Sequence, residues 1–152
     1  MTIILPQWLV INSVPLATPN CLAEDIVPLL GGSAEGENRR IPSASGRRPY
    51  RHEPDELVAD LTVFLRGDVD SDGVATANHR ATLMALIRSL RSSLYTPPAT
   101  IAGTHAAELR LAGSVVLTAA VQVPRFTPVS DRNDPARATL ALQVVVTAGA
   151  FT

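Results

Sequence analysis

The residues best suited by type and spacing to chemistry are three aspartates in one short run, Asp68-Val69-Asp70-Ser71-Asp72-Gly73. The pattern D-x-D-x-D-G opens the calcium loop of an EF-hand, where alternating carboxylates offer a hard cation its oxygen ligands. It then departs from that motif. The twelfth loop position should be a bidentate Glu and is His79, and the residues before the loop alternate as a strand instead of forming a helix. The expectation is an acidic, solvated turn that leaves a strand and approaches a helix N-terminus, where the dipole favours negative charge. No metal is assigned.

Other chemistry is sparse. His52, His79 and His105 share no metal-ligand spacing, and Cys21 is the sole cysteine, so the chain can form no internal disulfide and no Cys-based zinc cluster. Cys21 reads as a small buried hydrophobe. No G-x-S-x-G elbow, P-loop or G-x-G-x-x-G occurs, and no acid pair stands out, so neither catalytic residues nor a cofactor are assigned. The remaining cluster is basic: Arg39, Arg40, Arg47, Arg48 and Arg51, with Tyr50 among them. Guanidinium groups and an aromatic ring suit phosphate and bases. Glu35, Glu37, Glu53 and Asp55 flank them and compete with phosphate, and the net charge is −1, so arginines that pair with a neighbouring subunit are the preferred reading.

The elements that must position these residues emerge from periodicity. Ile3 to Leu16 reads as one or two short strands around a turn near Asn12 and Ser13. Ala59, Leu61, Val63 and Leu65 alternate with polar partners as a half-buried strand. Leu83, Leu86, Ile87, Leu90 and Leu94 fall at helical spacing opposite Arg80, Arg88, Arg91 and Ser92, predicting one helix over 79–95, with Thr76 or Asn78 as N-cap and Pro97-Pro98 beyond its end. Ala107-Leu109-Leu111 and Val115-Leu117-Ala119-Val121-Val123 form a hairpin about Gly113-Ser114, and Ala138-Leu140-Leu142-Val144-Val146 closes the series. The expected fold class is α+β, mainly β: an antiparallel sheet folded as a sandwich, with one flanking helix.

At 152 residues and 46% hydrophobic content the chain suits a single domain, 1–152, with about 7,400 Å² of surface as a compact monomer. All 13 basic residues are Arg, a skew expected of GC-rich coding. No basic residue precedes Arg39, so the N-terminus lacks the basic region of a signal peptide, and no run reaches the roughly 18 to 20 apolar residues of a membrane span. A protein soluble when made, with no membrane insertion, is expected.

One segment resists this economy. Gly31 to Glu56 runs 26 residues with only Ala34, Ile41, Ala44 and Tyr50 apolar, and its composition predicts neither strand nor helix. Fixing it would cost about 25 to 50 kcal/mol at ~1 to 2 per residue. Extended, it spans about 85 Å, enough to cross an adjacent copy. It is therefore expected to act as an intersubunit arm, with Ile41-Pro42 and Pro49-Tyr50 as apolar anchors and the arginines as clamps.

The run GENRRIPSASGRRPYRHEPDELVADLTVFLRGDVDSDG, with the earlier LVINSVPLATP, resembles minor tail proteins of long-tailed phages of actinobacteria (siphophages), through the strings R-x-I-P-x-x-x-G-x-R-P-Y and G-D-V-D-x-x-G. The resemblance covers most of the chain and is most specific over residues 36–73. It implies the phage tail-tube fold group, to which the tube subunit and the distal tail protein belong: a β-sandwich, a flanking helix and a long loop reaching a neighbour. It further implies a structural virion component, assembled in the host cytoplasm, that forms a homo-oligomeric ring, commonly hexameric, around the DNA channel and contacts tube and tip or baseplate-hub proteins. On that basis Arg39, Arg40, Ile41, Pro42, Arg47, Arg48, Pro49 and Tyr50 are arm contacts, and Asp68, Asp70 and Asp72 are candidates to line the channel. The role expected is the distal tail adaptor between tube and tip, with the major tube subunit or a tail-completion protein as alternatives. A small metal-assisted hydrolase using Asp68, Asp70, Asp72 and His79 is the rival from another class, and an Arg-loop nucleic-acid binder the third.

Overall fold

The computed structural model describes residues 8–31, 56–96, 103–111 and 115–152, together with four short strands at 34–35, 38–40, 47–49 and 53–54. Trp8–Ile11 (β1) and Val14–Pro15 (β2) form a tight hairpin through Asn12 and Ser13, whose φ values of 50° and 64° lie in the left-handed region. Positive φ at both central residues gives the twist that a two-residue hairpin needs. Ala17–Thr18 (β3) and Cys21–Ala23 (β4) follow, then a 3-10 turn at Val27–Leu30. Ala34–Glu35 (β5), Asn38–Arg40 (β6), Arg47–Pro49 (β7) and Glu53–Pro54 (β8) precede the long strand Leu57–Arg66 (β9). The helix His79–Leu94 (α1) leads to His105–Leu111 (β10), Val115–Ser130 (β11) and Arg137–Val146 (β12).

Eight strands make one antiparallel sheet in the order β2-β1-β10-β11-β12-β9-β4-β3. Its two ends are adjacent in sequence. Leu16, between β2 and β3, donates its amide to the Leu9 carbonyl and accepts the Ala23 amide on its own carbonyl, both at 2.8 Å, so one residue joins the two edges. The described sheet is therefore a nearly closed barrel, which corrects the expected sandwich. Alternation along each strand is compatible with either architecture, because it tells which face is buried and not what covers it.

The inward residues match the predicted alternation. Ala59, Leu61, Val63 and Leu65 of β9 and Ala138, Leu140, Leu142, Val144 and Val146 of β12 are buried, in a register that places Leu61 opposite Leu142 and Val63 opposite Leu140. The helix ends within one residue of the prediction. Asn78 is its N-cap, accepting the Ala81 amide on Oδ1 at 3.2 Å, and Leu83, Leu90 and Leu94 enter the same core as the sheet. None of the described helix is long and apolar enough to cross a membrane.

Strand β11 departs from expectation in two ways. Val115, Leu117 and Ala119 are not fully buried, since the β10–β11 hairpin runs past the core that takes Val121 and Val123. Strand β11 also continues through Pro124 and Pro128 to Ser130. Beyond Gln122 it pairs with β12 alone, after a register shift between Gln122 and Arg125. Proline is tolerated at bulges and on edge strands, and Pro124 falls within the register shift.

Candidate assembly interface

Within 31–56 the backbone doubles back. Ala34 pairs with Pro54 and Glu35 with Glu53; further out, Asn38 pairs with Pro49, Arg39 with Arg48 and Arg40 with Arg47. This corrects the expectation of a segment without strands. A ladder of main-chain hydrogen bonds needs no apolar periodicity, so composition could not announce it. Of the arm residues, Arg39, Arg40, Arg47, Arg48 and Pro49 lie on these strands; Ile41, Pro42 and Tyr50, with Arg51 and His52, lie outside the described residues.

The acidic turn is built from its own hydrogen bonds. Arg66 Nε and Nη2 donate to Asp68 Oδ1 and Oδ2 at 3.0 and 2.8 Å, a bidentate clamp between the last residue of β9 and the turn. The hydrogen bonds and charge of Arg66 hold the Asp68 carboxyl below the usual range and raise the guanidinium in return. Asp70 Oδ1 accepts the amides of Asp72 and Val74, both at 2.9 Å, and Gly73 takes a φ of 82°. Thr76 ties the exit to Gly67, with its Oγ1 donating to the Gly67 carbonyl. The three aspartates thus sit on one turn before α1, with Asp68 and Asp70 half-buried and Asp72 exposed. Among the described residues no group of three or more His, Cys, Asp or Glu is arranged to hold a metal ion.

The other singled-out side chains stand apart. His79 is exposed at the start of α1, and His105 opens β10 with its Nε2 buried and unbonded among the described residues. Cys21 is buried in β4, and burial pushes its thiol up to about 12, as suits a packing residue.

Four carboxylates that sequence reasoning passed over lie just before the 31–56 segment and at or just after its end. Glu24, Asp25, Glu56 and Asp60 are exposed, and none pairs with a described cation. The Glu24 amide donates to the Thr62 carbonyl at 2.9 Å, carrying the β4–β9 pairing one residue further and placing Glu24 on the outer face with Thr62 and Asp60. The signal available in the sequence was that residues 1–38 contain no basic side chain to neutralise Glu24 and Asp25.

Neither a family model nor a curated protein sequence matches the chain. Several solved structures resemble it, two of which are informative. The Dit (gp 19.1) protein of phage SPP1, described as a paradigm of the hub adsorption apparatus in phages infecting Gram-positive bacteria, superposes with a TM-score of 0.50 at 12% identity, over 92% of this chain and 49% of that one. This chain thus spans about half the length of that protein. A chain from the virion of a native gene transfer agent particle superposes with a TM-score of 0.50 at 7% identity, over 97% of this chain and 95% of the other. At such identities the likeness concerns the path of the backbone, and what it establishes is a fold similar to that of phage tail proteins.

Proposed function

We propose that the chain is a structural phage tail subunit that closes into a ring around the DNA channel, acting as the distal tail adaptor between tube and tip. The observation that carries this reading is the nearly closed eight-stranded sheet with its single helix, which follows the SPP1 Dit backbone over 92% of this chain. The hairpin supports it, since a two-stranded ribbon is marginal by itself and gains stability from a surface to lie on. In this reading Arg39, Arg40, Ile41, Pro42, Arg47, Arg48, Pro49 and Tyr50 contact the next copy. Asp68, Asp70 and Asp72 face the lumen, where negative charge repels phosphate and keeps DNA from sticking.

The subunit works by closure and not by catalysis, as one of six copies in a virion tail assembled in the host cytoplasm. Imaging the intact virion by cryo-electron microscopy tests this. A closed ring of this chain between tube and tip is expected. A location outside the tail removes the proposal, and a ring with Asp68, Asp70 and Asp72 on the outer wall removes their lumenal role.

A further inference from the structure

The outer face at the root of the arm is both apolar and acidic. Val27 and Leu30 of the 3-10 turn and Val58 of β9 are 64, 50 and 52% exposed, although the turn packs against β9 and buries Leu29 beneath it. Asp25 Oδ1 accepts the Val27 amide at 2.9 Å, Glu56 and Asp60 flank Val58 in sequence on the exposed face of β9, and the Glu24 amide bonds to Thr62 beside Asp60, with no described cation paired to any of the four. Water leaves three exposed branched aliphatics unfavourably hydrated, and four carboxylates on one face repel one another.

The tip of the arm has the opposite character. No acid occurs from Asn38 to His52, and the register sets Arg39 against Arg48 and Arg40 against Arg47. Like charges directly opposite weaken a two-stranded ladder.

We propose that the arginine-bearing hairpin of one copy docks on the root of the arm of the next copy, against Glu24, Asp25, Glu56 and Asp60, with Val27, Leu30 and Val58 supplying the apolar floor. This rests on the ring-forming reading above and names the surface that receives the arm. Charge complementarity carries it: four register-paired arginines meet four carboxylates that have no cation partner among the described residues, and Arg–carboxylate contacts form bidentate pairs. Tip and root are different patches, so the contact is heterologous, the type that closes into a ring when the rotation per copy divides a full turn.

Disulfide capture on the full chain tests it. Chains carrying Arg48→Cys are mixed with chains carrying Asp60→Cys under mild oxidation, with each variant alone as control. The mixture is expected to give a linked heterodimer about tenfold faster than either variant links to itself, as steered complementary patches do. In parallel, Glu24→Arg with Asp60→Arg, and Arg39→Glu with Arg48→Glu, should each weaken self-association about tenfold in sedimentation, and mixing the two charge-reversed chains should restore it. Circular dichroism of each variant checks that it folds. If the chains associate but neither root reversal nor the cysteine pair registers it, the docking site is overturned while ring formation stands. If unmodified chains never associate and no heterodimer forms, both readings fall.

Discussion

The amide of Leu16 donates to the carbonyl of Leu9 at 2.8 Å, and together with the Ala23 amide on the Leu16 carbonyl this bond makes the first and last edges of an eight-stranded sheet one wall. Leu16 is fully buried, so side chain and backbone act together. Leu16→Ala is expected to cost about 2 to 5 kcal/mol through the cavity it leaves. Leu16→Pro removes the N–H as well and should cost more. Urea denaturation of both variants checks the order, and a loss under 1 kcal/mol for Leu16→Pro would show that closure is unimportant.

Gly67 is the point at which β9 hands over to the turn, and its backbone is pressed against α1. A Cβ there would lie 2.2 Å from the His79 carbonyl oxygen and 2.7 Å from Leu83 Cβ. Backbone cannot yield as a flexible side chain does. Gly67→Ala should therefore destabilise by about 1 to 3 kcal/mol or more and shift the start of α1, measured by thermal melting with amide exchange across residues 79–83.

The Arg66–Asp68 clamp predicts a dependence on pH. Because the folded state holds the Asp68 carboxyl lower than the unfolded chain does, its contribution is present above the unfolded carboxylate range and is lost as pH falls through the folded value. Both side chains are partly exposed, at 39% and 28%, so screening limits the effect of Asp68→Asn to about 0.2 to 1 kcal/mol at neutral pH. Stability curves of the two proteins should converge under strongly acidic conditions. A constant gap down to pH ~2 would mean the loss is packing and not charge.

Ser13 carries a side chain in a backbone conformation that glycine adopts freely, at a φ of 64°. Ser13→Gly converts the turn to Asn-Gly, the preferred pair for this hairpin, and should stabilise by about 0.5 to 1 kcal/mol. Asn12→Gly should act oppositely despite its own positive φ, because Asn12 Nδ2 donates to the Ser93 carbonyl in the last turn of α1 at 2.9 Å. Melting temperatures that move in the same direction for both variants would contradict this.

Much of the local structure was legible in the sequence because burial on one face writes a period into the chain. Ala59 to Leu65, Ala138 to Val146 and the leucines of α1 all appear where spacing placed them, the turn at Asn12-Ser13 followed from residue type, and of the two cap candidates, Thr76 and Asn78, the structure takes Asn78. What tertiary structure alone decided were relations between distant segments. Leu9, Leu16 and Ala23 read as ordinary apolar residues, and only their meeting turns a sheet into a barrel. The hairpin in the arm is held by main-chain bonds that any side chains permit, so Arg39 gave no hint of Arg48. Glu24 and Asp60 lie far apart in the chain and become one acidic face only when β4 pairs with β9. Periodicity records what each residue buries; which segments come together depends on long-range pairing, and no local pattern encodes that.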